Sequence, residues 1–175
     1  MVVLWIVFGV VAAVFLLTAL IGAPYVPTHK QQARLAFSTL RPVTKKDTVL
    51  DIGSGDGVVL QQALVAGAGK VIGYEINPFL VWVAQLRLWR QKSRVKVVLK
   101  NFWEQPFPTE VTVVYTFGES RDIAKMYRRV EAEATRLQRP IDFISYAFAV
   151  PDAEYERSEG GLFLYKIIPL QIKKT

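Results

Sequence analysis

Val49-Leu50-Asp51-Ile52 is an apolar run that breaks into Gly53-Ser54-Gly55-Asp56-Gly57 and resumes as Val58-Val59-Leu60. A strand, a tight loop and a helix satisfy that pattern. Glycines at alternate positions admit backbone angles closed to other residues and let a ligand approach the main chain with no Cβ in the way. The following helix turns its free N–H groups toward the same loop. The dinucleotide fingerprint G-x-G-x-x-G requires glycine where Val58 stands, so this loop does not fit it. What stands here is D-x-G-x-G-x-G, with Asp51 two residues ahead of Gly53.

About 20 residues on, where a βαβ unit places the end of its next strand, comes Gly73-Tyr74-Glu75-Ile76-Asn77-Pro78. A carboxylate at the tip of that strand can accept hydrogen bonds from both hydroxyls of a ribose, and Glu75 holds the position. Asn77 and Pro78 read as N-cap and first residue of a helix, with ligand contact by Asn77 an addition to that role.

Strands and helices alternate through the body. The expected elements are a helix over 28–40, a strand at 48–52, a helix over 57–66, a strand at 71–75, a helix from Asn77-Pro78 and a strand at 95–99. Further strands are expected at 111–117, 141–148 and 162–168, the last after a Gly160-Gly161 turn. Ile123, Met126, Tyr127, Val130, Ala134 and Leu137 recur at helical spacing within 120–138 and mark a core stripe. Such alternation argues for an α/β fold, a parallel sheet covered by helices on both faces. Ligands then bind at the carboxyl ends of the strands, where Asp51, Glu75, Asn101 and Phe117 fall.

Ahead of this body, Val2 to Ile21 carries no charge and a single polar side chain, Thr18. Twenty such residues suffice for one membrane span as a helix. A cleaved signal peptide would have a basic leader and a shorter apolar core, and no Lys or Arg precedes the run. Lys30, Arg34, Arg41, Lys45 and Lys46 follow it, which by the positive-inside rule leaves the C-terminal body on the cytosolic, or equivalent organellar, side. The same side chains either hold the body against anionic headgroups or form a solvated face. The expected division is therefore an anchor over 1–22, a linker and cap helix over 23–47, and one catalytic-size domain over 48–175.

The chain has no cysteine and one histidine, His29, which rules out a thiolate metal site and leaves no serine-type triad. No metal is expected. A net charge of +7 invites a nucleic-acid reading. Five of the basic residues, Lys30, Arg34, Arg41, Lys45 and Lys46, however, follow the apolar segment, and no appended RNA-binding module is present. No nucleic-acid partner is expected.

The D-x-G-x-G-x-G loop together with Glu75 resembles the first motifs of the seven-stranded, S-adenosylmethionine-dependent methyltransferases. Two more stretches, Ala23-Pro24-Tyr25-Val26-Pro27-Thr28 and Asn77-Pro78-Phe79-Leu80-Val81-Trp82, narrow the likeness. With them the chain is similar to the small membrane-anchored protein-lysine methyltransferases whose mitochondrial members modify the adenine nucleotide translocase and the c-subunit of ATP synthase. The resemblance implies a Rossmann-like seven-stranded sheet preceded by one transmembrane helix. It implies S-adenosylmethionine as cofactor, with Gly53, Ser54, Gly55, Asp56 and Gly57 around its methionine end and Asp51 positioning the methionine amino group. Glu75, with Ile76 and Asn77 beside it, takes the ribose.

After the third strand such enzymes commonly place an acid that binds the adenine amino group. Here Asn101 stands instead, and its side-chain oxygen still accepts one hydrogen bond. Phe102 and Trp103 are either core or adenine neighbours. At the end of the fourth strand, Thr116-Phe117-Gly118 lacks the D/N-P-P-Y tetrad of enzymes that methylate nucleobases and glutamine.

Two prolines keep Pro24-Tyr25-Val26-Pro27 extended, so the stretch from Gly22 to Thr28 reaches about 20 Å at most and holds the body close to the bilayer. If it folds over the cofactor, as in the related enzymes, Tyr25 and Thr28 line the transfer site. Otherwise Thr28 is a helix N-cap that forms a capping box with Gln31. Glu119, Asp56 and Tyr25 are the polar candidates to face a substrate amine. The expected function is methylation of a lysine on a membrane protein near the bilayer surface. The alternatives are a methyltransferase for a small amphiphile, such as a quinone or lipid headgroup, and a noncatalytic cofactor-binding membrane scaffold.

Overall fold

The computed structural model describes residues 1–21, 30–118 and 120–170, with 14–21 in backbone only. Helix α1 (Val2–Ile21) is followed by a short helix α2 (Lys30–Leu35). The helix expected over 28–40 does not stay regular. Beyond Leu35 it widens into a π turn, Ala36–Leu40, closed by the Arg41 amide on the Ala36 carbonyl at 2.9 Å. Ser38 Oγ donates to the Arg34 carbonyl at 2.7 Å, the local competition that loosens helices at serine. The turn carries Phe37 and Leu40 into the core.

The body is a seven-stranded sheet: β1 (Thr48–Ile52), β2 (Lys70–Glu75), β3 (Val95–Leu99), β4 (Val113–Thr116), β5 (Ile141–Tyr146), β6 (Arg157–Glu159) and β7 (Leu162–Ile167), in the order β3-β2-β1-β4-β5-β7-β6. Pairs β1–β2, β2–β3, β1–β4 and β4–β5 are parallel, and β7 runs antiparallel to both neighbours. The central strand β1 is buried along its whole length, which is why Val49, Leu50 and Ile52 do not alternate with exposed polar residues and why Thr48 and Asp51 are themselves buried. Helices α3 (Val58–Val65) and α4 (Pro78–Arg87) make the β1–β2 and β2–β3 crossovers, and α5 (Ile123–Leu137) joins β4 to β5.

The two faces are covered differently. On one, Ala33, Phe37 and Leu40 join Leu60, Ala63, Val81 and Ala84 over Val49, Val71 and Val113. The expected linker and cap segment therefore contributes to the same core as the strands. On the other, α5 supplies Ile123, Met126, Val130 and Ala134, and the β3–β4 connection supplies Phe107 and Val111 in place of a helix. That connection is clamped to α5 by Glu133. Its carboxylate accepts the Phe107 amide at 3.1 Å and pairs with Arg129 and Arg136 at 3.0 and 2.6 Å. Arg129 and Arg136 also donate to the carbonyls of Gln105 and Phe107.

The short β6 has no counterpart among the expected strands. It folds back on β7 through Gly160 and Gly161, and Arg157 donates to the Leu40 carbonyl at 3.0 Å. Helix α1 forms where the apolar run predicts one, but among the described residues no helix is long and apolar enough to cross a membrane. The expected transmembrane span is not carried by the described residues.

Candidate active site

The carboxyl ends of β1, β2, β3 and β4 lie side by side in the sheet, and the glycine loop rises between β1 and α3. Gly53 adopts φ 82°, a conformation that costs a side-chain-bearing residue strain, and a Cβ built there would meet no atom within 4 Å. The space beside the loop backbone is open. Gly53 and Ser54 donate to the Tyr74 carbonyl at 2.9 and 3.0 Å, so the loop crosses low over β2. That approach requires Gly73, where a Cβ would fall 2.5 Å from Ser54 Oγ and 2.8 Å from Ser54 Cβ.

Glu75 ties the two halves together. Its Oε2 accepts the Gly55 amide at 2.8 Å, while Oε1 accepts the amides of Ile76 and Asn77 at 2.9 and 2.8 Å. A carboxylate with three backbone donors is held in one rotamer, and its remaining lone pairs can still accept from hydroxyl groups. Asn77 caps α4 as expected: Oδ1 accepts the Phe79 and Leu80 amides at 3.0 and 3.4 Å.

Asp51 lies between Gly73 on β2 and Tyr115 on β4 in the strand register. It is 2% exposed. Burial, with Glu75 and then Asp56 nearby, pushes its pKa well above the ordinary aspartate range. A buried carboxyl group in this condition suits a cationic partner such as a primary ammonium.

Asp56, expected both around the cofactor and as a partner of a substrate amine, is paired with Arg87. It accepts from Arg87 of α4 at 2.5 Å, receives the Val58 amide at 3.2 Å, and offers its carbonyl to Arg87 Nε at 2.9 Å. Its side chain fixes the loop against α4, and its charge still acts on Asp51.

Asn101 stands at the end of β3 in a local turn. Its Oδ1 accepts the Trp103 amide at 3.2 Å and its Nδ2 donates to Glu104 at 2.7 Å. Phe102 and Trp103 stack at 4.2 Å and pack against the α5-side core, and Lys125 lies over the Trp103 ring at 4.3 Å. Phe117, after β4, stacks on Tyr146 at the end of β5 at 4.7 Å. Tyr25, Thr28 and Glu119, the expected transfer-site residues, lie outside the described residues, as do His29 and the Pro24–Pro27 linker. Sequence reasoning missed Tyr115, the register neighbour of Asp51, whose ring meets Phe37 at 5.7 Å. It also missed Arg87, which lies 31 residues from the aspartate it holds. Among the described residues no three metal-ligating side chains come together.

Strand order 3-2-1-4-5-7-6 with a lone reversed seventh strand, a glycine loop after β1 and an acid closing β2 define a class I methyltransferase domain. The chain belongs to the ANTKMT methyltransferase domain family, whose model matches residues 51–157. Its fold matches an RNA methyltransferase from Salinibacter ruber, solved with S-adenosyl-L-homocysteine, at a TM-score of 0.69 and 23% identity, covering 86% of this chain and 98% of that one.

Among curated proteins, the chain is 31% identical to the lysine N-methyltransferase of the ATP synthase c-subunit from Xenopus laevis over 131 residues, 74% of this chain and 55% of the relative. It is 36% identical to the adenine nucleotide translocase lysine N-methyltransferase of Mus musculus over 83 residues, 46% of this chain and 35% of the relative. The chain thus spans about half the length of the first of these relatives.

Proposed function

We propose that this protein is an S-adenosylmethionine-dependent lysine N-methyltransferase acting on a membrane protein close to the bilayer surface. Support comes from membership of the ANTKMT domain family and from relatives named as lysine N-methyltransferases. The observation that carries the reading is the buried carboxyl of Asp51 beside a loop that Glu75 holds by the Gly55 amide. These residues fit the cofactor: Asp51 would hold its ammonium group, Glu75 its ribose hydroxyls, and the open backbone at Gly53 its methionine portion.

When bound, S-adenosylmethionine supplies an electrophilic methyl group on a sulfonium. The protein's share of the work is orientation in a closed cleft and management of one proton. A lysine ammonium must lose that proton before it can attack, and burial beside positive charge lowers its pKa in the required direction. Tyr25 and Thr28 are assigned to the transfer site, with Glu119 as the polar group facing the amine. Asn101 and Phe102 after β3, and Phe117 after β4, belong to the cofactor end of the cleft.

Residues 1–22 are assigned as the anchor, 23–47 as linker and cap, and 48–175 as the domain. The domain is assigned to the cytosolic or equivalent organellar side. The uncharged sequence run from Val2 to Ile21 and the basic residues that follow it support that arrangement.

The test is incubation of the full chain with membranes and methyl-labelled S-adenosylmethionine. Label recovered as methyllysine in a membrane protein supports the proposal. Label recovered only in the organic extract would show a small amphiphile as substrate instead, and cofactor binding with no transfer to any fraction would leave a scaffold.

A further inference from the structure

Helix α4 buries Leu80, Val81 and Ala84 against the sheet and turns a different set outward. Trp82 and Leu86 are each 58% exposed, and Trp89, in the turn that follows, is 61% exposed. At spacings of four and three residues they form one stripe about 10 Å long. Arg90 lies over the Trp89 ring at 5.6 Å. Beside Trp89 a cavity of about 250 Å³ opens between the end of α4 and β3, lined in part by Gln85, Lys92, Val95 and Lys96.

The charge around this stripe is of one sign. Residues 76–100 hold Arg87, Arg90, Lys92, Arg94, Lys96 and Lys100 and no acid, so this stretch carries +6 of the chain's net +7. Arg87 is paired with Asp56, and Arg94 folds onto the carbonyls of Ala68 and Gly69. Arg90, Lys92 and Lys96 lie around Trp89.

We infer that the outer face of α4 lies on an anionic bilayer surface, with Trp82, Leu86 and Trp89 at the level of the acyl boundary and Lys92 and Lys96 at a lipid phosphate. Tryptophan beside Arg and Lys is the composition of membrane interfaces, because its ring is apolar and its N–H is polar. The charge selects anionic headgroups, at a factor of roughly five in partitioning per basic residue near the surface. Because α4 starts directly after Glu75, this contact sets the height and tilt of the cofactor cleft over the membrane. It relies on the reading of α1 as an anchor only to bring the two surfaces near.

The test uses the full chain in lipid nanodiscs, with brominated phosphatidylcholine as a quencher of tryptophan emission. Native protein is compared with W82F/W89F, which leaves Trp5 in α1 and Trp103 in the domain as reporters, and with K92E/K96E. Circular dichroism of each variant establishes that it is folded. Quenching of Trp82 and Trp89 about twofold or more stronger in discs containing phosphatidylglycerol than in neutral discs, and lost in 0.5 M salt or in K92E/K96E, is the expected result. Equal quenching of native and W82F/W89F in anionic discs overturns the inference. So does shielding of these tryptophans only when a membrane-protein substrate is added, which would make the stripe a protein-docking face. Failure to quench Trp5 would count against the anchor and is read separately in W82F/W89F.

Discussion

Glu75 Oε2 and the Gly55 amide meet at 2.8 Å, joining the tip of β2 to the glycine loop that follows β1. The other carboxylate oxygen holds the amides of Ile76 and Asn77. One side chain thus shapes the loop, starts α4 and faces the cleft. Glu75→Ala leaves three backbone donors without this acceptor, at a cost of about 2 kcal/mol. We expect a lower melting temperature together with cofactor affinity reduced tenfold or more. Glu75→Gln, which keeps one acceptor oxygen, should fall between the two in thermal melts.

Asp51 gives a pH prediction. Its folded pKa is raised, chiefly by burial and then by Glu75 and Asp56, so between the unfolded and folded values the native state binds more protons. Stability from this group is therefore present at acid pH and declines as pH rises from the ordinary aspartate range through the folded pKa. Asp51→Asn should flatten that decline and melt higher than the native protein at neutral pH. The same variant should lose binding of a ligand ammonium by about 100-fold, the scale of breaking a buried ion pair. Melting curves across pH, beside titration with S-adenosylhomocysteine, check both.

Gly73 is fixed by contact. A Cβ there would meet Ser54 and also Leu60 Cδ1 at 2.9 Å, so Gly73→Ala should cost about 1–3 kcal/mol by overpacking. Adding Ser54→Gly should recover part of that loss, measured by urea denaturation.

Glu133 is 3% exposed and carries two arginines and the Phe107 amide. Glu133→Ala should cost about 3 kcal/mol, because Arg129 and Arg136 lose their partner. A double-mutant cycle with Arg136→Met should show strong non-additivity. The cofactor cleft lies elsewhere, so binding per folded molecule should change little.

Much of the fold and the cleft is legible in the chain itself. The run 49–57 announces strand, loop and helix because glycine spacing and continuous burial leave distinct marks, and Asn77-Pro78 announces a cap because the chemistry is local. β6 leaves no such mark, since Arg157-Ser158-Glu159 is exposed throughout and has no apolar face. The β3–β4 connection packs Phe107 and Val111 without periodicity, and only the distant Glu133 reveals where they go. The pairing of Asp56 with Arg87 is hidden in the sequence, because the two residues are brought together only when α4 packs beside the glycine loop. Local pattern encodes elements and caps, whereas long-range ion pairs become visible only once the sheet is assembled.

The most direct test is calorimetric titration of S-adenosylmethionine and S-adenosylhomocysteine into the full chain in nanodiscs, beside folded Asp51→Asn and Glu75→Ala variants. Saturable binding to the native protein that both substitutions weaken by tenfold or more is expected. No binding to the folded native protein, or binding indifferent to both substitutions, would contradict the assignment of the cleft.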